Sequence, residues 1–251
     1  MLALAPMPAW FDLAFGPWYL KLYAHRDREE AARTLRTLGP WLPGEGPVLD
    51  VACGLGRHLE ILLAGGANAC GIDRSAALLA AAAPPLRDRL VRGDMRELPF
   101  PSNCFAALLC LFTSFGYFGS DPAHRALLEE FARVTAPKGR LVLDAVNPPA
   151  LRGSLVSASE RRVDGHTVRE RRALERRGGM EVVVKEITVE SPSGLEVGRF
   201  REEVSLYERS PLLELLRSAG WRDLAVLGDY DGGDWSPEAP RLLVIAERAG
   251  S

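Results

Sequence analysis

The chain has 251 residues, 47% hydrophobic and 25% charged, the balance of a globular protein with material for a sizeable core. Its formal net charge of −2 excludes a bulk field that would draw it to nucleic acid or to an anionic membrane. The local basic candidate is the arginine run Arg161, Arg162, Arg169, Arg171, Arg172, Arg176 and Arg177.

The N-terminal stretch MLALAPMPAWFDLAFGPWYLKLYAHRD starts apolar but lacks a basic leader. It is broken by Pro6, Pro8 and Pro17 and carries Asp12, so it reads as neither a signal peptide nor a membrane span. Two helical patterns are expected over residues 9–39, the second at Arg28–Leu38 before Gly39-Pro40. GPVLDVAC is a short buried strand. RHLEILLAGG is an amphipathic helix ending at glycine. NACGID is a second strand, and SAALLAAAA is a helix capped by Ser75 and stopped at Pro84-Pro85. DRLVRGD and FAALLCLF are strands three and four. DPAHRALLEEFARVTAPKG is a helix with Asp121 as N-cap, and RLVLDAVN is strand five. The four cysteines, Cys53, Cys70, Cys104 and Cys110, lie in or beside these apolar runs without a C-x-x-C pair. They read as buried reduced thiols suited to a cytoplasmic protein, with no metal-site spacing.

Strand alternating with helix five times predicts an open parallel sheet with helices on both faces, its ligand at the carboxyl ends of the strands. After Asn147 the texture changes. The "NPP" at 147–149 reads as a strand-ending turn. Residues 160–208 alternate charged and apolar, predicting an antiparallel hairpin about the "SPSG" turn at 191–194, with a third strand from 162–176. SPLLELLRSAGW is a helix with Ser210 as N-cap. DLAVLGDY and RLLVIAER are the last strands, joined by the acidic, aromatic loop DYDGGDWSPEAP.

Gly54 and Gly56 follow strand one, where glycine lets the backbone turn tightly against a ligand. A dinucleotide fingerprint needs a third glycine where this chain has Leu59, and no Gly-Lys-Ser/Thr follows. Asp50, inside the strand end, needs donors and repels pyrophosphate. Asp73, nineteen residues past Gly54, is placed to bind ribose hydroxyls. Asp94, ending strand three, can accept from an adenine amine, with the Met95 N–H beside it. An amine, a ribose, an adenine and no phosphate describe S-adenosylmethionine.

On those motifs the chain resembles the class I, Rossmann-like, S-adenosylmethionine-dependent methyltransferases of the small-molecule type. The stretches VLDVACGLGRH, GIDRSAALL, VRGDMRELPF, FAALLCLFTSFGYF and LEEFARVTAPKGRLVLDAVNP carry the likeness from Pro47 to Pro148. It implies an α/β fold with a seven-stranded, mostly parallel, doubly wound sheet and an antiparallel β insert between strand five and the last helix. The implied division is an N-terminal helical cap (1–40), a cofactor core (41–149), an antiparallel insert or lid (150–209) and a C-terminal helix and strands (210–251). It also implies that Ala52, Gly54 and Gly56 line the methionine end near Asp50, that Asp73 takes the ribose, and that Arg74 stacks beside the adenine. Asp94 and Met95 bind the adenine edge, and Leu111 meets the methionine part. Tyr19 and Tyr23 would close over the cofactor, with Arg26 as a carboxylate partner.

Phe115, Tyr117, His124 and Tyr230 are candidates for the acceptor pocket, and His124, Tyr117 and Asp231 for any general base. The expected reaction is methyl transfer to a nitrogen or oxygen of a small molecule, releasing S-adenosylhomocysteine, with no membrane partner. A homodimer is compatible with the insert. An RNA or protein methyltransferase, a binding protein without transfer, and an NAD dehydrogenase stay as alternatives; the missing third glycine and Asp50 weigh against the last.

Overall fold

Strand β1 (Val48–Val51) is buried throughout. Beside it lie β2 (Ala69–Asp73), β3 (Leu90–Arg92), β4 (Phe105–Cys110), β5 (Thr135–Val146), β10 (Trp221–Leu227) and β11 (Arg241–Arg248). In this computed structural model, which describes residues 9–250, the strand order is β10-β11-β5-β4-β1-β2-β3. β1 pairs in parallel with both β2 and β4, so the order reverses at β1. Only β11 runs against the rest, antiparallel to β5 and to β10. The doubly wound sheet with its terminal antiparallel pair is as the sequence predicts.

Helices α3 (Arg28–Leu38) and α4 (Arg57–Ala64) cover one face; α6 (Asp121–Val134) and α8 (Arg209–Ser218) cover the other. The period of two along β4 shows why both faces are apolar. Leu108 and Cys110 join the layer of Phe131 and Leu216, whereas Ala107 and Leu109 join that of Leu38 and Leu59. Ser75 caps α5 (Ala76–Ala81) by accepting the Leu78 N–H at 3.1 Å. The α6 N-cap is Ser120, one residue before the expected Asp121. The α8 N-cap is Glu208 rather than the expected Ser210, which lies inside the helix.

Three further differences bear on function. The first N-terminal pattern is two short helices, α1 (Trp10–Ala14) and α2 (Pro17–Leu22), split at Phe15-Gly16 by the proline that starts the second. Residues 1–8, with Pro6 and Pro8, lie outside the described residues. "NPP" is not a turn: Asn147 precedes a helix, α7 (Pro148–Ser154), with proline in its first turn. The insert has four strands, β6 (Ala158–Val163), β7 (His166–Arg177), β8 (Met180–Glu190) and β9 (Glu196–Leu206), in sequential antiparallel order. The expected strand over 162–176 is interrupted at Asp164-Gly165, both with positive φ, where β6 turns into β7. No helix among the described residues is long and apolar enough to cross a membrane.

Candidate cofactor and acceptor site

A cavity of about 590 Å³ opens at the carboxyl ends of β1 to β4. Its first wall is the loop after β1. Ala52, Gly54 and Gly56 all have left-handed backbone, with φ of 55°, 60° and 83°. Alternating with ordinary residues, they turn the chain from strand to helix within five positions. The loop is tied to β2 because the Gly54 N–H donates to Asp73 Oδ2 at 2.7 Å, while Asp73 Oδ1 accepts from the Ser75 N–H at 2.7 Å. Burial outweighs these bonds and raises the Asp73 pKa. Gly56 does not line the cavity; it is the N-cap of α4.

Asp50 is 2% exposed on β1 and lines the cavity, as does His58 from the first turn of α4. Their closest approach, 3.9 Å, is too long for a hydrogen bond. Asp50 Oδ2 and His58 Nε2 have no hydrogen-bond partner among the described residues. Burial, then the charge of Asp73, pushes the Asp50 carboxyl up to about 7, against the pull of Arg57. Burial, then Arg57, pushes His58 down to about 3. A buried carboxylate oxygen without a donor, facing a cavity, fits a cationic ammonium.

At the opposite end, Asp94 is occupied by two arginines. Arg96 reaches it through its backbone N–H at 2.9 Å and its side chain at 2.6 Å and 3.0 Å; Arg74 adds a bond at 2.5 Å. These donors overcome burial and hold Asp94 below the ordinary carboxylate value. The expected adenine amine would therefore meet a carboxylate already serving four donor contacts. Arg74 also grips Asp12 of α1 at 2.5 Å. Phe11 lies against the guanidiniums of Arg74 and Arg96, at 5.3 Å and 5.9 Å. Ser75 Oγ donates to the Phe15 carbonyl at 2.6 Å. These contacts strap α1 over the cavity. Met95 and Leu111 also line it.

A smaller cavity of about 100 Å³ adjoins, sharing Phe15, Tyr19, Phe112 and Tyr117 with the larger one. Tyr23 and Arg26 line this chamber rather than the larger cavity, together with Trp10 and, from β9, Glu202 and Val204. Arg26 donates to the Tyr19 hydroxyl at 3.0 Å. Glu202 Oε1 accepts from the Tyr23 hydroxyl at 2.8 Å, and Lys185 donates to the same hydroxyl at 2.6 Å. Burial lowers the Lys185 pKa although Glu202 and Glu170 raise it.

Of the expected acceptor residues, Tyr117 faces both cavities. The other three line neither. Phe115 is 1% exposed in the core, against His124 and Tyr207. His124 is fully buried. Its Nδ1 meets the Tyr207 hydroxyl at 2.9 Å and its Nε2 accepts from the Phe118 N–H at 3.3 Å; burial pushes it down to about 4. Tyr230 stands behind the wall, stacked on Phe112 at 5.2 Å and bonded to Asp144. Asp231 is at the surface near Arg33, 3.6 Å away.

Comparison with known proteins fits this geometry. Residues 48–139 match the model of a methyltransferase domain. The chain is 33% identical over 121 residues to the dTDP-3-amino-3,6-dideoxy-alpha-D-glucopyranose N,N-dimethyltransferase of Streptomyces fradiae, covering 48% of this chain and 46% of that one. It therefore spans about half the length of that relative. It is 30% identical over 184 residues to the dTDP-3-amino-3,4,6-trideoxy-alpha-D-glucopyranose N,N-dimethyltransferase of Streptomyces venezuelae, covering 72% of this chain and 77% of the other. The chain belongs to the S-adenosylmethionine-dependent methyltransferases. Among solved structures, an S-adenosylmethionine-bound amino pentose methyltransferase from Micromonospora echinaspora superposes with a TM-score of 0.67 at 26% identity, covering 92% of this methyltransferase and 97% of that chain. A Clostridium acetobutylicum S-adenosylmethionine-dependent methyltransferase shares the fold, with a TM-score of 0.76 at 18% identity and coverage of 93% and 97%. The family's cofactor carries an ammonium group.

Sequence reasoning missed several groups here, among them His58 and Phe112, which line the larger cavity. Phe11 and Asp12 sit on a helix too short to show a period, and Glu202 is one acid among many in an alternating strand. Asp144 carried a signal: it is a charge inside the buried apolar run of β5.

Proposed function

We propose that this methyltransferase moves the methyl group of S-adenosylmethionine to the nitrogen of a small-molecule amine, with amino sugars as the class suggested by its relatives' names. When bound, the cofactor supplies a methyl group activated on a sulfonium. Asp50 would receive its ammonium and Asp73 its ribose hydroxyls, and Arg26, which lines the adjoining chamber, would act on its carboxylate through Tyr19, which lines both cavities. Asp94 would act at the adenine end indirectly, by holding Arg74 and Arg96. The protein's remaining task is to align acceptor and donor and to exclude water, worth about 7–11 kcal/mol of the barrier.

The observation that carries the amine reading is Glu202. Its Oε1 is held by Tyr23, while its Oε2 has, among the described residues, only Lys185, at 3.9 Å. This carboxylate sits in a chamber walled by Trp10, Tyr19 and Tyr117, and a carboxylate among aromatic faces suits an ammonium or amine. The insert's Arg161, Arg169, Arg172 and Arg177 pair with glutamates, which supports a small acceptor over a phosphate-binding stripe. The reduced cysteines support a cytoplasmic setting.

The test is to incubate the protein with S-adenosylmethionine and dTDP-3-amino-3,6-dideoxy-glucose, or with its 3-hydroxy counterpart, and to follow methyl addition by mass spectrometry. Methylation of the amine alone, lost in Glu202→Gln while cofactor binding persists, supports the reading. Methylation of the hydroxyl compound alone would overturn it.

A further inference from the structure

Two consecutive non-glycine residues just past β4 have left-handed backbone, Phe112 at φ 54° and Thr113 at φ 64°. Such a pair is unfavourable for L-residues and persists only where the surroundings over-determine it. The surroundings here are specific. Arg241, the first residue of β11, donates to Thr113 Oγ1 at 2.9 Å. The same guanidinium holds Asp144 with two bonds, one of them 2.9 Å from Nε to Oδ1. Asp144 has no solvent exposure, and its other contact is the Tyr230 hydroxyl. Tyr230 closes the circle by stacking on Phe112.

Phe112 is the residue this circle serves. It faces both cavities. Tyr230 and His58 each stack on its ring at 5.2 Å. The guanidiniums of Arg57 and Arg26 lie 5.1 Å and 5.6 Å from its centre. A buried ion pair kept only for packing can be replaced by apolar residues without loss. An apolar replacement could not supply the third, directional bond to Thr113.

We propose that Arg241, Asp144 and Tyr230 are positioning residues for methyl transfer: they lock Thr113, and through it Phe112, as the partition between the cofactor cavity and the acceptor chamber. This rests on the reading of those two cavities given above. Release of Thr113 lets the Phe112 ring swing, and Arg26 and Arg57 lose the surface they lie on.

Thr113→Val tests this, because it keeps the branched shape and removes only the acceptor oxygen. Thr113→Ser keeps that oxygen. The readouts are S-adenosylhomocysteine affinity by calorimetry, hydrogen exchange of a peptide spanning residues 111–114, and the thermal midpoint. In Thr113→Val, affinity should fall about tenfold, the scale of one hydrogen bond to a charged group. Exchange should quicken in that peptide, and the midpoint should move little. Thr113→Ser should restore affinity and protection. Affinity and exchange both within twofold of wild type in Thr113→Val would overturn the proposal, as would equal loss in both variants. If the wild-type protein did not bind S-adenosylhomocysteine, the cofactor reading would fall and this inference with it. Binding with an unchanged Thr113→Val would remove this inference alone.

Discussion

Arg74 meets Asp12 at 2.5 Å across 62 residues of sequence, and this contact closes α1 over the Asp94 end of the cavity. The pair is only partly shielded, with side-chain exposures of 47% and 26%. An ion pair in such a setting contributes at most about 1 kcal/mol and weakens with salt. It therefore acts as a latch that opens easily. Asp12→Asn should speed release of S-adenosylhomocysteine about threefold to fivefold with little change in thermal midpoint. Stopped-flow release should quicken with salt in the wild type and be nearly salt-independent in the variant.

Asp50 and His58 make opposite contributions to the pH dependence of stability. The folded Asp50 keeps its proton up to about 7, against an ordinary value of 3.8. Between those values the folded state binds the extra proton, so this contribution falls as pH rises. The folded His58 stays neutral down to about 3, against an ordinary 6.5. There the unfolded state binds the extra proton, so this contribution rises with pH. The two nearly cancel between 3.8 and 6.5. Asp50→Asn should expose the His58 term, with stability rising relative to wild type by about 1.4 kcal/mol per pH unit. His58→Gln should show a fall of similar slope, continuing to about pH 7. Denaturant melts at several pH values measure both; parallel pH profiles for all three proteins would refute the assignment.

The parts of the site legible in the sequence are those whose chemistry is local. The β1 loop announces itself because left-handed turns favour glycine, and Asp73 because a strand-end carboxylate at that spacing must bond something. Asp94 was legible as a site residue, but its partners were not. That Arg74 and Arg96 saturate it depends on how two turns fold together. His124 misled because a histidine in the first turn of the helix after strand four can face a strand-end site, whereas Tyr207, more than eighty residues on, draws it into the core. Phe112 and Thr113 could not be recognised at all, since their backbone is imposed by Arg241 and no local preference favours it.

Gly71 on β2 is explained by the loop after β1 that lies beside it. A Cβ there would lie 2.6 Å from Cys53 Sγ and 3.1 Å from a Leu90 methyl. Gly71→Ala should cost about 1–3 kcal/mol by overpacking and weaken S-adenosylhomocysteine binding by displacing Cys53 and the Gly54 bond to Asp73. Cys53→Ala removes the sulfur but leaves a Cβ contact of 3.0 Å, so the double variant should recover part of the loss. Denaturant melts and calorimetry on the three variants form the cycle, and strictly additive effects would refute the contact.

Gly116 joins the insert to the core. Its carbonyl accepts the Ser205 N–H at 2.8 Å, its φ is 108°, and a Cβ would fall 2.8 Å from both the Ser205 carbonyl oxygen and a Val204 methyl. L side chains rarely adopt that φ, and the Cβ contacts leave no room, so Gly116→Ala should push β9 outward. Val204 and Glu202, which line the smaller chamber proposed for the acceptor, lie on that strand, whereas the residues tying the β1 loop to Asp73 do not. Gly116→Ala should therefore lower methyl transfer to an amine acceptor at least tenfold, the effect of small misplacements on alignment. Cofactor affinity should change less than threefold, the consequence of leaving the β1 loop undisturbed. A parallel fall in both would show that the insert supports the cofactor cavity as much as the acceptor chamber.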